Sequence, residues 1–177
     1  MSAMKETILK TSRFSVERVT HLLPNGHTHS REIVRHPGAV IILPVLADGS
    51  VCLIRNYRVS LDQELLELPA GTLEAGEPPV ECAVRELKEE TGYSCGKMEP
   101  LCDFFMSPGI LDEHMHAFVA TELRPGEPAR EEGELISNSI LSMAETEAAI
   151  RSGEVKDAKT IVALLYFSQF WIANKSS

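Results

Sequence analysis

Gly71-Thr72-Leu73-Glu74-Ala75-Gly76-Glu77, then seven residues, then Arg85-Glu86-Leu87-Lys88-Glu89-Glu90-Thr91-Gly92-Tyr93, is the stretch that decides the fold. Pro78-Pro79 through Thr91 reads as a helix, since proline is tolerated in a first turn. Val80, Ala83, Val84 and Leu87 recur at helical spacing and predict one apolar stripe. Gly92 stands where a C-terminal stop belongs. Residues three and four apart share a face, so Glu86 sits beside Glu89 and Glu90 at the helix end. That end already carries partial negative charge. Two half-buried carboxylates ~4 Å apart repel by about 4 kcal/mol at an effective dielectric near 20. A divalent cation reverses the sign of that term, and clustered oxygens suit Mg²⁺ or Mn²⁺ rather than zinc. Three glutamates alone describe an ordinary solvated face. The glycine loop, Glu77 and Arg85 at fixed offsets change that reading. Gly71 can bring the backbone close, which offers the Ala70 carbonyl as an oxygen ligand. Arg85 can pair with Glu77 and orient the loop.

Outward from this stretch, residues 14–23 and 27–34 alternate around Pro24-Asn25-Gly26 and predict a β-hairpin. A lone hairpin is barely stable, so it must pack on its own domain or on a second subunit. Residues 39–46 form a nearly continuous apolar run, as expected of a strand buried on both faces. Asp48-Gly49 turns into a return strand at residues 51–57, and residues 67–71 read as a loop. Phe104-Phe105 and residues 115–121 and 135–141 are further strand candidates. Ser142 and Glu145 form a capping-box signature for a helix to about Arg151. An apolar-periodic helix is expected from Asp157 to about Ala173, and the polar ends are expected to fray. The organisation expected is residues 1–38 as a hairpin and dimerisation segment, and 39–177 as one mixed α/β domain.

The chain has 177 residues and a net charge of −9, with no basic block. Neither nucleic acid nor an anionic membrane is an expected partner. No apolar run approaches the roughly 18–20 residues of a membrane span, and no leader pattern is visible at the start. Cys52, Cys82, Cys95 and Cys102 form no Cys-x-x-Cys pair, so free thiols in a reducing cytoplasm are expected. His27-x-His29 and His114-x-His116 look like metal pairs, but no third ligand is placed to complete zinc, and a structural role is expected.

The segment from Gly71 to Tyr93 matches the Nudix box at every specified position, with Tyr93 as an aromatic variant at the last. The resemblance implies a mixed β-sheet sandwiched between helices, here with an N-terminal hairpin extension. It implies metal binding by Glu86 and Glu90, with Glu89 helping directly or through water, and cleavage of a nucleoside diphosphate linked to another moiety. Residues 31–40, 55–58, 67–71, 107–113 and 157–160 resemble the ADP-ribose pyrophosphatase group. That likeness implies Mg²⁺, with Mn²⁺ as a possible substitute, held by Ala70, Glu86, Glu90 and Glu134. It implies Glu132 as general base, with Glu89 and Arg85 supporting, although Glu131 and Glu134 compete for the role. Arg58, Arg31, Glu32, Ser107, Gly109 and Glu113 are the implied substrate contacts. The expected reaction releases AMP and ribose 5-phosphate from ADP-ribose. A GDP- or UDP-sugar pyrophosphatase and a non-catalytic ADP-ribose sensor are the alternatives. The resemblance also implies a homodimer through the N-terminal hairpin.

Overall fold

In the computed structural model, which describes residues 3–130 and 135–171, the strand Ala39–Pro44 is buried from end to end. Its alternate side chains build the two halves of the core. In chain order the elements are β1 (Ala3–Lys10), β2 (Ser15–Leu22), β3 (Thr28–Arg35), β4 (Ala39–Pro44), β5 (Val51–Arg58), β6 (Gln63–Glu67) and β7 (Ala70–Thr72). Then come α1 (Pro79–Thr91), β8 (Lys97–Phe105), β9 (His114–Thr121), β10 (Ile136–Leu141), α2 (Met143–Ser152) and α3 (Ala158–Tyr166). A π-helical turn, Phe167–Trp171, extends α3.

The central sheet runs β7-β4-β9-β8, with β4 and β9 parallel and the other pairs antiparallel. Val40 and Ile42 face α1 and pack with Cys82, Ala83, Leu87 and Phe118. Ile41 and Leu43 face the other way and pack with Leu53, Leu66, Leu68, Ala163 and Leu164. Alternation along one strand therefore places α1 on one face and α3 on the other. The second sheet, β10-β5-β6, is antiparallel and shares the core on the α3 side. This is the mixed sheet between helices that the sequence implied.

Differences from the expected elements have local causes. Within α1 the buried face is Cys82, Ala83, Leu87, Glu90 and Thr91, while Val80 and Val84 are exposed. The buried face is therefore rotated toward Glu90. Full burial of Leu87 contributes roughly 1.5–3 kcal/mol. That outweighs the roughly 0.2–0.5 kcal/mol of each exposed like-charge pair on the helix. The loop expected at residues 67–71 holds the end of β6 and the start of β7, because Ala70 and Gly71 pair with Ile41 and Val40. Gln63–Glu67 forms a strand that its short apolar run, which lacks alternation, does not predict. The capping box at Ser142 forms with both of its bonds.

The N-terminal hairpin is joined by β1, which pairs with β2 where fraying was expected. This sheet is hydrogen-bonded to the rest of the chain through β3. Val34 N–H donates to the Ile110 carbonyl at 2.8 Å, and Asp112 N–H donates to the Val34 carbonyl at 3.1 Å. Arg35 bonds both Glu17 and Asp112. Among the described residues no helix is long and apolar enough to cross a membrane.

Candidate active site

The box residues converge because Gly71 has no side chain. A Cβ there would stand 1.9 Å from the Glu86 carboxyl carbon. Glycine at this point lets the α1 carboxylate lie directly on the β7 backbone. One turn on, the buried Glu90 accepts the Ala70 N–H through Oε2 at 2.9 Å. Gly92 closes the helix at φ +80°, and a Cβ there would meet the Gly126 carbonyl at 2.5 Å.

Arg85 ties these groups together. Its Nε and Nη2 donate to Glu77 at 2.9 and 3.0 Å. Its Nη1 donates to Glu86 at 2.6 Å and to Glu89 at 3.0 Å. The guanidinium thus offsets part of the repulsion expected among the box carboxylates. Glu77 also accepts the Glu74 N–H at 2.9 Å. Arg85, with that N–H, holds the Glu77 carboxyl down to about 2.

A carboxyl depressed in the folded state contributes fully above its ordinary value near 4.5, and the contribution fades as pH falls toward about 2. In urea titrations from about pH 5 to about pH 2.5, wild type is expected to lose more stability than Glu77→Gln. Parallel curves for the two proteins would mean that the pair contributes nothing.

The donor set fits a hard divalent cation, since the Glu86 and Glu90 carboxylates and the Ala70 carbonyl supply only oxygen. Among the described residues no three Asp, Glu, His or Cys side chains stand ready as a metal cage. Glu132 and Glu134 lie outside the described residues. The chain on either side of them is anchored at the end of α1. Arg130 Nε donates to the Glu90 carbonyl at 3.1 Å, and Asn138 Nδ2 donates to the Thr91 carbonyl at 2.8 Å.

Glu86, Glu89 and Glu90 border a cleft of about 600 Å³. A second cavity of about 360 Å³ shares Arg58, Ala70, Gly71 and Thr72 with it and extends to Glu113, Met115 and Lys159. Arg58, at the end of β5, donates Nε to the buried Glu67 at 2.8 Å, and its Nη2 also bonds that carboxylate. Lys159 Nζ reaches Glu67 at 3.1 Å and Asp157 at 2.8 Å. Glu113 lines the second cavity, whereas Ser107 and Gly109 line neither. The Ser107 carbonyl instead accepts the N–H groups of Ile110 and Leu111. Arg31 and Glu32 stand on β3 and line neither cavity of their own chain; Glu32 accepts from Arg18 at 3.0 Å.

Ser12, Arg13, Glu67, Asp157 and Lys159 are also wall residues, although no motif in the sequence marks them as such. In the sequence Asp157 and Lys159 mark only the start of the last helix. Elsewhere the thiols are free, and burial pushes those of Cys52 and Cys82 up to about 12. His114 stacks on Phe105 at 4.7 Å and touches His116 at 4.3 Å.

The site is thus a glycine-cradled carboxylate cluster at a helix end, bordered by a cleft and an adjoining cavity. The chain belongs to the NUDIX domain family, whose model matches residues 34–164. An ADP-ribose pyrophosphatase of Bacillus subtilis (strain 168) is 41% identical over 174 residues, covering 93% of each chain. A methanol dehydrogenase activator of Bacillus methanolicus is 40% identical over 170 residues, covering 92% of each. A solved structure described as an ADP compounds hydrolase superimposes with a TM-score of 0.84 at 26% identity, covering 99% of this chain and 96% of that one.

Proposed function

We propose that this chain hydrolyses the diphosphate of ADP-ribose to AMP and ribose 5-phosphate. The observation behind the proposal is that the carboxylate cleft and the second cavity adjoin, with Arg58, Ala70, Gly71 and Thr72 lining both. A diphosphate can lie over Ala70–Thr72 while the groups on its two sides occupy different lobes. The likeness to an ADP-ribose pyrophosphatase over nearly the whole chain favours this substrate over GDP- or UDP-sugars. Intact box glutamates favour an enzyme over a sensor.

Glu86, Glu90, Glu134 and the Ala70 carbonyl would hold Mg²⁺, or Mn²⁺ in its place. Such a cation, when bound, neutralises phosphoryl oxygens and lowers the pKa of water. The chain's own residues do the rest. Arg85 fixes Glu77, Glu86 and Glu89 in one array. Arg58, oriented by Glu67, presents its remaining donors to the diphosphate. Glu113 contacts the ribose side, and Ser107 and Gly109 shape the loop that carries it. Glu132 takes the proton from the attacking water, and Glu89 assists.

The test is hydrolysis in ¹⁸O-water with product analysis, run beside GDP-mannose, UDP-glucose and a pyridine dinucleotide. AMP and ribose 5-phosphate released at far higher kcat/KM than any other product support the proposal. Preference for a sugar nucleotide overturns it.

We also propose a homodimer through residues 1–38, placing Arg31 and Glu32 near the partner's cleft. In the isolated chain Met4, Ile8, Leu9 and Leu22 of that sheet are exposed, and a sheet with so little core needs a second surface. A single-chain mass in light scattering would refute this. Four free thiols suit a reducing cytoplasm, which fractionation of cells would check.

A further inference from the structure

The turn between β1 and β2 reaches the cleft of its own chain. Ser12 and Arg13 stand in its wall with Glu74, Glu86 and Glu89. This turn is stiffly built. Thr11 Oγ1 accepts the N–H of Arg13 at 3.2 Å and of Phe14 at 3.0 Å, and it donates to the Phe14 carbonyl at 2.8 Å. The Thr11 N–H donates to that same carbonyl at 2.9 Å. A hydroxyl bonded to the backbone around it fixes the tip of a turn.

Three arginines line the cleft, and two already have carboxylate partners. Arg85 is bonded to Glu77, Glu86 and Glu89, and Arg58 to Glu67. The Arg13 guanidinium makes no ion pair or hydrogen bond among the described residues. Among the described residues the cleft wall also carries Glu74, Glu86, Glu89 and Glu90. An anionic ligand therefore meets one guanidinium whose donors have no partner among the described residues.

We infer that Arg13 is a further substrate-binding residue, gripping the phosphoryl oxygens of a nucleoside diphosphate in the cleft. This inference rests on the hydrolase reading of the same site. A guanidinium presents a planar fork that matches two phosphate oxygens. The rigid turn lowers the entropy lost when it does so. Because the contact is to the diphosphate, it serves every substrate with that linkage and sets affinity rather than sugar preference.

The experiment compares wild type, Arg13→Ala and Arg13→Lys with Mg²⁺ on ADP-ribose and GDP-mannose, recording kcat, KM and the unfolding midpoint. Arg13→Ala is expected to lose about tenfold to a hundredfold in kcat/KM, as for a charged hydrogen bond, mostly through KM. The loss is expected on any of these substrates that wild type cleaves. Arg13→Lys should recover part of it. The unfolding midpoint should not move, and the defect should shrink in high salt. A KM and kcat within about twofold of wild type would overturn the assignment. If wild type cleaved neither substrate, the hydrolase reading itself would fall. Binding of α,β-methylene ADP-ribose would then decide the matter. Weaker binding by Arg13→Ala supports the contact; equal affinity, or no binding by wild type, removes it.

Discussion

Glu90→Gln is expected to lower turnover of ADP-ribose by on the order of 10²–10³ while the fold persists. The size follows from the several kcal/mol of charge stabilisation that a bound divalent cation supplies, at about 1.4 kcal/mol per tenfold. Glu90 is 5% exposed, and its Oε2 accepts the Ala70 N–H at 2.9 Å. Glutamine keeps the length and one oxygen for that bond but carries no charge. The backbone at Ala70 should therefore stay in place while affinity for the cation falls. Removing a buried charge near Glu86 relieves repulsion but also weakens the attraction to Arg58, so the apo variant should unfold close to wild type. Ligand linkage gives a second readout, because whatever binds only the folded state raises the unfolding midpoint. Added Mg²⁺ should raise the midpoint of wild type and raise that of Glu90→Gln much less. Full turnover in the variant, or an equal response to Mg²⁺, would remove the cation from this site. Glu89→Gln should cost far less, because Glu89 is more exposed and is held by Arg85 at 3.0 Å.

The box was legible because its signals are local. Helical spacing brought Glu86 and Glu90 together, and Gly71 and Gly92 mark places where a side chain would collide with the Glu86 carboxyl or the Gly126 carbonyl. The buried β4 and the capped α2 were legible for the same reason. What stayed hidden depends on contacts between distant segments. β1 lacks an apolar-polar alternation, and pairing with β2 makes it a strand. Arg13 meets the box only because β3 docks on residues 110–112, which no periodicity near Arg13 reports. The tilt of the α1 stripe toward Glu90 is likewise set by β4 and β7. Val80 and Val84 fit the helical period, yet they lie outside the arc that the sheet covers. Glu67 reads as one more glutamate until Arg58 and Lys159 close on it from elements far apart in sequence.

That closure leads to the largest stability effect expected here. Glu67 has 0% exposure, so its charge is tolerated only through its partners. Arg58 gives it two bonds, and Lys159 gives a third at 3.1 Å. Lys159 is tied to Asp157 in turn, and Asp157 caps α3 by accepting from Thr160 N and Oγ1. Thr160 Oγ1 accepts the Leu68 N–H at 2.9 Å, so the network joins the start of α3 to the chain between β6 and β7. Removing one member of a buried ion pair typically costs about 3–5 kcal/mol, mainly because the other charge loses its partner. Arg58 keeps about a third of its side chain in solvent and can turn toward water. Glu67→Ala should therefore fall at the low end, about 3 kcal/mol. For a chain of this length that lowers the unfolding midpoint by roughly 6–12 °C. Glu67→Gln keeps the shape and one acceptor, so it should fall between Glu67→Ala and wild type. Arg58 also loses the group that orients it toward the diphosphate. In the fraction that remains folded, KM should rise by about tenfold, the effect of one charge-assisted bond. A midpoint within about 2 °C of wild type would mean that water and neighbouring groups replace the carboxylate. Neither α3 nor the orientation of Arg58 would then depend on Glu67.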